Sequence, residues 1–168
     1  MNIKIPKELK IKCWNYLQKN NLGNRSEANG NKEQQLVGLI GEIMTLNFFG
    51  LEHKLSNGFD GGFDFTYKGK KIDVKTMGRT VDPRPGYINN FIAFQKDFDC
   101  DYYIFNSLNK KTNNLTICGF VSKEDLLKKS VYRKKGTKVE RSNGTHFYLK
   151  TNNYSIENSK LNNINELI

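Results

Sequence analysis

Apolar residues recur at helical spacing through the first fifty positions. Leu9, Cys13, Trp14 and Leu17 fall on one stripe, and Pro6 suits a first helical turn. This predicts a helix over 6–20 with Trp14 as a core anchor. Residues 21–31 read as a polar loop with two glycines. Leu36, Leu39, Ile40, Ile43, Met44 and Phe48 repeat at three-and-four spacing and predict a second helix over 32–49, with Gly50 as its stop. Gly38 and Gly41 interrupt it, each costing about 1 kcal/mol against alanine. A glycine at that cost often permits close approach by another backbone. Glu42 follows Gly41 and adjoins the apolar stripe, a place where most glutamates are simply exposed.

The period then changes from helical to alternating. Residues 51–55 read as a short strand. Phe63, Phe65 and Tyr67 alternate with Asp64 and Thr66, and 70–76 repeat the pattern. Lys68-Gly69 between them fits a two-residue hairpin turn. That turn pairs Tyr67 with Lys70, Thr66 with Lys71, Phe65 with Ile72 and Asp64 with Asp73. Phe63, Phe65, Ile72 and Val74 then face a core, and Asp64, Asp73 and Lys75 share the other face. Carboxylates directly opposite one another repel. A divalent cation would offset that repulsion. The alternative is a solvated polar face neutralised by Lys71 and Lys75, and a slip of one residue in the turn would undo the pairing.

Beyond the hairpin, 77–86 reads as a loop carrying Arg79 and Arg84. Residues 88–98 are apolar and fit strand or helix. Strands are expected over 101–107 and 115–121, with a turn over 108–114. Ser122 caps a short helix over 123–129, whose first turn holds Glu124 and Asp125. The stretch 128–141 is basic, with Arg133, Lys134, Lys135 and Arg141 around Tyr132. It suits a phosphate backbone, and equally a solvated loop. A last strand is expected over 145–150 and a short helical tail over 159–168. No internal repeat or linker stands out.

At 168 residues the chain reads as one domain, 1–168, with a core roughly over 32–121 and a basic extension over 122–168. Its net charge of +10 favours a nucleic-acid partner. A compositional bias competes as the cause, since 22 lysines stand against 5 arginines in a chain rich in Asn and Ile. No run is apolar enough to span a membrane, and no signal peptide is visible. Cys13, Cys100 and Cys118 are odd in number and widely spaced, so they read as buried thiols in a reducing, cytoplasmic compartment. His53 and His146 lack a partner set, which disfavours zinc and HNH-type sites and leaves both as ordinary surface or packing residues.

Glu42 on a helix, Asp64, then Asp73-Val74-Lys75 on paired strands resemble the PD-(D/E)XK nuclease superfamily. Leu39-Ile40-Gly41-Glu42 is similar to the helix that places its acid. Gly61-Gly62-Phe63-Asp64-Phe65 and Ile72-Asp73-Val74-Lys75-Thr76 are similar to its core hairpin. The pattern departs at Phe63, where the motif's proline would stand, and Asp60 rivals Asp64 for the first acid. The resemblance implies a restriction endonuclease-like α/β/α core, a mixed central sheet flanked by helices. It implies a metal-dependent DNA endonuclease. Asp64, Asp73 and the Val74 carbonyl would hold Mg²⁺ or Mn²⁺. Glu42 would bind a second ion or hold a water on the metal. Lys75 would orient or deprotonate the attacking water, or stabilise the growing charge. Gln95 stands near the start of the superfamily's second core helix, and Arg79 and Arg84 stand in reach of phosphate. A lone domain of this size often cuts duplex DNA as a homodimer. The alternative function is a nucleic-acid-binding protein of the same fold without turnover.

Overall fold

The computed structural model describes residues 1–22, 30–53, 61–140 and 144–168. The chain runs β1 (Asn2–Lys4), α1 (Lys7–Lys19), α2 (Lys32–Phe48), β2 (Phe65–Tyr67), β3 (Lys70–Arg79) and β4 (Ile88–Ile92). A 3-10 helix (Ala93–Asp97) follows, then β5 (Tyr102–Asn109), β6 (Asn114–Ser122) and α3 (Lys123–Lys129). The C-terminal part adds β7 (Val131–Arg133), β8 (Lys138–Glu140), β9 (His146–Tyr148) and β10 (Asn153–Glu157). The architecture is mixed α/β, built on a five-stranded sheet ordered β1-β6-β5-β3-β2. Within it β3 and β5 are parallel and the other pairs antiparallel. A smaller sheet ordered β4-β10-β7 and a β8-β9 ribbon complete the described strands.

Side-chain alternation on β5 explains the layering. Ile104 joins Phe65, Ile72 and Leu46 on one face, while Tyr103 and Phe105 join Phe91, Leu126 and Ile156 on the other. One face is therefore covered by α2, and the opposite face by α3 with the small sheet. The expected mixed sheet with helices on both faces is thus present, and the small sheet beside α3 is an addition the sequence did not announce. The segment 88–98 forms a strand and a 3-10 turn, so Gln95 opens no second core helix.

Both long helices form as the periodicity implies. The α2 start is fixed by Asn31, whose side chain accepts from the Gln34 amide while Gln34 reaches back to the Asn31 amide. On α1 the buried stripe is Cys13 and Leu17, and Trp14 is turned out, 44% exposed, instead of anchoring the core. Residue 14 lies about 100° around the helix from residue 13, and Tyr16 and Leu9 complete the contact with α2 in its place. Residues 51–53 form no strand, and 54–55 lie outside the described residues. The last strand expected over 145–150 is β9, but β10 follows it unforeseen. The tail forms 3-10 turns at Asn158–Lys160 and Ile164–Glu166 instead of an α-helix. Cys13 and Cys100 are buried free thiols, and Cys118 is half-buried.

Candidate active site

The hairpin turn is the local origin of the site. Lys68 and Gly69 both have positive φ, 48° and 75°, the signature of a type I′ turn whose twist suits a tight hairpin. The register follows the count: Tyr67 opposite Lys70, Thr66 opposite Lys71, Phe65 opposite Ile72. Pairing then stops. The Asp64 amide donates to the Ile72 carbonyl at 2.9 Å, so Asp64 never sits opposite Asp73. Phe63 crosses to the other face and packs with the Cys100–Tyr103 cluster, correcting the expectation that it shares a face with Phe65. Gly62 permits this departure: its φ is +92°, and a Cβ there would lie 2.8 Å from the Phe98 Cβ.

The break gives Asp64 a different role in the ladder. Its Oδ2 accepts from the Val74 amide at 2.6 Å. A carboxylate thus takes the N–H that a longer β2 would have bonded. In a strand the carbonyl of a residue points to the same side as its N–H, so the Val74 carbonyl is directed toward this same edge. Asp73 and Lys75 project from one face of β3, beside Tyr103 and Phe105 of the parallel neighbour. The Lys75 ammonium closes on both Asp73 oxygens, at 2.9 and 2.6 Å. These side chains are only 15% and 6% exposed. Lys71, a candidate neutraliser, is instead paired with Asp99.

Glu42 reaches the same edge from the opposite face. The approach of α2 to β3 requires Gly41: a Cβ there would fall 1.8 Å from the Thr76 Oγ1. One turn on, the Thr45 hydroxyl donates to the Gly41 carbonyl and accepts from the buried Asn106 side chain, which locks α2 to β5. Glu42 Oε1 lies 2.7 Å from His53 Nε2. This gives His53 a place in the site that sequence reading missed. The chain turns at Gly50, where φ is +70°, and returns to the helix it has just left. No periodic signal marks such a return.

Electrostatics ties the four groups together. Burial raises the Asp64 pKa well above the usual carboxylate range, and the charges of Asp73 and Glu42 raise it further. Lys75 and the Val74 N–H oppose the rise without cancelling it. Burial also pushes the Cys100 thiol up to about 12, with Asp73 adding to the effect. Asp64 is thus a desolvated acid facing two other acids. That is the electrostatic setting a cation relieves, and its donors are hard oxygens. Among the described residues, however, no group of three or more His, Cys, Asp or Glu side chains is placed to hold a metal ion. Asp73 is closed on Lys75, and Glu42 on His53. Magnesium commonly takes one or two carboxylates and completes its shell with water and substrate phosphate, and Asp64 and Asp73 are the carboxylates at this edge that could serve it.

The remaining candidates divide. Arg79 Nη2 donates to the Ile88 carbonyl at 2.7 Å and its guanidinium lies 5.0 Å from the Tyr87 ring centre, so it braces the end of β3. Arg84 is exposed, and its carbonyl accepts from the Asn158 side chain. Gln95 is buried on the inner side of the 3-10 helix. Arg133 ends β7, and Lys134 and Lys135 are exposed in the turn beyond it. Asp60 and Arg141 lie outside the described residues. The stretch expected to be a loop from residue 77 continues β3 to Arg79. Compared with known proteins, the chain matches no family model, no curated protein and no solved structure. No helix among the described residues is long and apolar enough to cross a membrane.

Proposed function

We propose that the protein is a metal-dependent DNA endonuclease of the PD-(D/E)XK kind, with a restriction endonuclease-like core. The observation that carries this reading is the Asp64 carboxylate bonded to the Val74 amide at the open edge of β3, with Asp73 and Lys75 beside it. Asp64, Asp73 and the Val74 carbonyl would hold Mg²⁺ or Mn²⁺, and Glu42 supplies a further carboxylate from α2. When bound, the cation lowers the pKa of water and offsets phosphate charge. Lys75, released from Asp73, would orient the attacking water and stabilise the charge growing on the phosphoryl oxygens. His53 holds the Glu42 carboxylate in a fixed orientation. The net charge of +10 draws a polyanion to a site whose own residues are acidic. A homodimer would set two such sites on two strands.

A second reading rests on the closed Asp73–Lys75 pair and the absence of a ready metal group among the described residues. In it the protein binds DNA without cutting it. Duplex, single-stranded and branched DNA incubated with Mg²⁺ or Mn²⁺ separates the two. The wild type is expected to cleave, while Asp73→Ala and Lys75→Ala lose at least about a hundredfold in rate, the lower end of what acid–base or charge-stabilising groups contribute. Equal cleavage by all three proteins overturns the assignment. Salt-sensitive binding without cleavage selects the second reading.

A further inference from the structure

The small sheet carries a row of aromatic rings that runs from the core to the surface. Tyr154 of β10 lies between Phe91 of β4 and Tyr132 of β7 in register, so all three rings share one face. Tyr103 touches Phe91 with ring centres 4.6 Å apart, Phe91 and Tyr154 are 6.5 Å apart, and Tyr154 and Tyr132 are 5.2 Å apart. Phe91 is buried, and Tyr132 at the outer end is 47% exposed. A ring held from behind by such a row loses little freedom when something stacks on its open side. Tyr132 and Tyr154 line a cleft of about 450 Å³, and Ile92, Phe94, Lys96 and Asn152 are among its other lining residues. Phe94 is 37% exposed.

The charges beside the cleft select the ligand. Lys96 lines it, and Lys134 and Lys135 are exposed in the turn just beyond Tyr132 and Arg133. The Lys135 amide donates to the Asn152 side chain at 2.8 Å, which ties this basic turn to the cleft wall. Exposed rings interleaved with cations are what a single strand of nucleic acid recognises, its bases stacking and its phosphates pairing. The chain links the cleft to the hairpin that carries the acidic site. Phe94 and Lys96 point outward from the 3-10 helix, which leads into Phe98, and Phe98 packs on Gly62 two residues before Asp64. We infer that this cleft takes an unpaired nucleotide of a DNA strand, its base against Tyr132 and Phe94 and its phosphate toward Lys96 and the turn at Lys134 and Lys135. The inference rests on the reading of the protein as one that acts on DNA, and it narrows the substrate to DNA with a single-stranded or flipped segment.

The test uses the whole protein without divalent metal and a short single-stranded oligodeoxynucleotide containing 2-aminopurine, alongside its duplex and an RNA of the same sequence. Wild type is expected to bind the single strand and quench the 2-aminopurine. Tyr132→Ala should weaken that binding about 5- to 150-fold, the loss of one stacked base, and Tyr132→Phe should restore it. Duplex affinity should change less than twofold. Phe94→Ala serves as the second variant, since Phe94 lies in the 3-10 helix and outside the small sheet. Single-strand affinity unchanged in both alanine variants overturns the inference. So does an equal loss for single strand and duplex, or tighter binding to RNA. Tyr132-dependent quenching in a protein that never cleaves DNA would keep the cleft and remove the nuclease reading; cleavage indifferent to Tyr132 would do the reverse.

Discussion

Replacing Asp64 by asparagine should stabilise the protein, although it removes a proposed metal ligand. Asparagine keeps an oxygen that can accept from the Val74 amide and discards the charge. The opposing terms are the weaker bond from a neutral acceptor and the lost attraction to Lys75. Their balance is set by the direction of the pKa shift, which is upward: burial and the charges of Asp73 and Glu42 outweigh Lys75 and the Val74 N–H. With the native pKa above the ordinary 3.8, the folded protein holds a proton that the unfolded chain releases. The associated stability is complete below pH 3.8 and is lost as pH rises through the native pKa. Asp64→Asn escapes that loss. Its advantage should therefore widen with pH and level off once the native pKa is passed. An imperfectly satisfied buried polar group costs about 1–3 kcal/mol, which corresponds to roughly 2–12 °C in melting temperature for a chain of this size.

Magnesium should invert the order. A cation that binds only the folded wild type adds about 2.7 kcal/mol at a hundred times its dissociation constant, and Asp64→Asn should gain much less. Calorimetric melting curves from pH 5 to 9, with and without Mg²⁺, measure both effects. A variant less stable than wild type at neutral pH without metal would refute the electrostatic reasoning. An equal rise for both proteins on adding metal would refute Asp64 as a ligand.

Three further perturbations probe the frame around the site. Gly41→Ala should cost about 1–3 kcal/mol by overpacking, because its Cβ would meet Thr76 at 1.8 Å; a denaturation midpoint equal to wild type would mean that α2 does not approach β3 as described. His53→Ala should leave the Glu42 carboxylate unanchored and weaken Mn²⁺ binding about 10- to 100-fold, read from the electron paramagnetic resonance signal of free Mn²⁺, and an unchanged affinity would make the 2.7 Å contact structural only. Lys68→Asn should raise stability by about 0.5 kcal/mol, since asparagine tolerates the φ of +48° better than lysine, and chemical denaturation showing a loss would argue against the type I′ turn.

The parts of the fold that were legible in the chain are those set by local rules. Lys68-Gly69 fixes a turn type, and the turn type fixes three cross-strand pairs. Three-and-four spacing marks both long helices, and Ser122 with its two following acids marks α3. Where a rule of periodicity met a choice between neighbouring residues, the tertiary contact decided. Cys13 and Trp14 are adjacent on α1, and the smaller side chain fills the space against α2. The polar flanks of β10 hide a strand whose pairing to β4 and β7 is long-range. His53 meets Glu42 only because the chain doubles back after α2.

The failure of alternation at Phe63 is different in kind, because it coincides with the site. Had β2 continued, Asp64 would have stood opposite Asp73, and the amide and carbonyl of Val74 would have been used in the ladder. Two acids facing each other across a complete hairpin would leave a cation only side-chain oxygens. Instead the Asp64 side chain takes the Val74 amide, the strand departs toward Phe98, and the edge of β3 opens where Glu42 arrives from α2. The positive φ of Gly61 and Gly62 is what lets the chain leave there. A longer, better-paired β2 would therefore deprive the proposed metal site of the Val74 carbonyl even with every acid and Lys75 retained. Residue identities name the chemistry of such a site, but the point at which a strand stops pairing decides whether those residues can perform it.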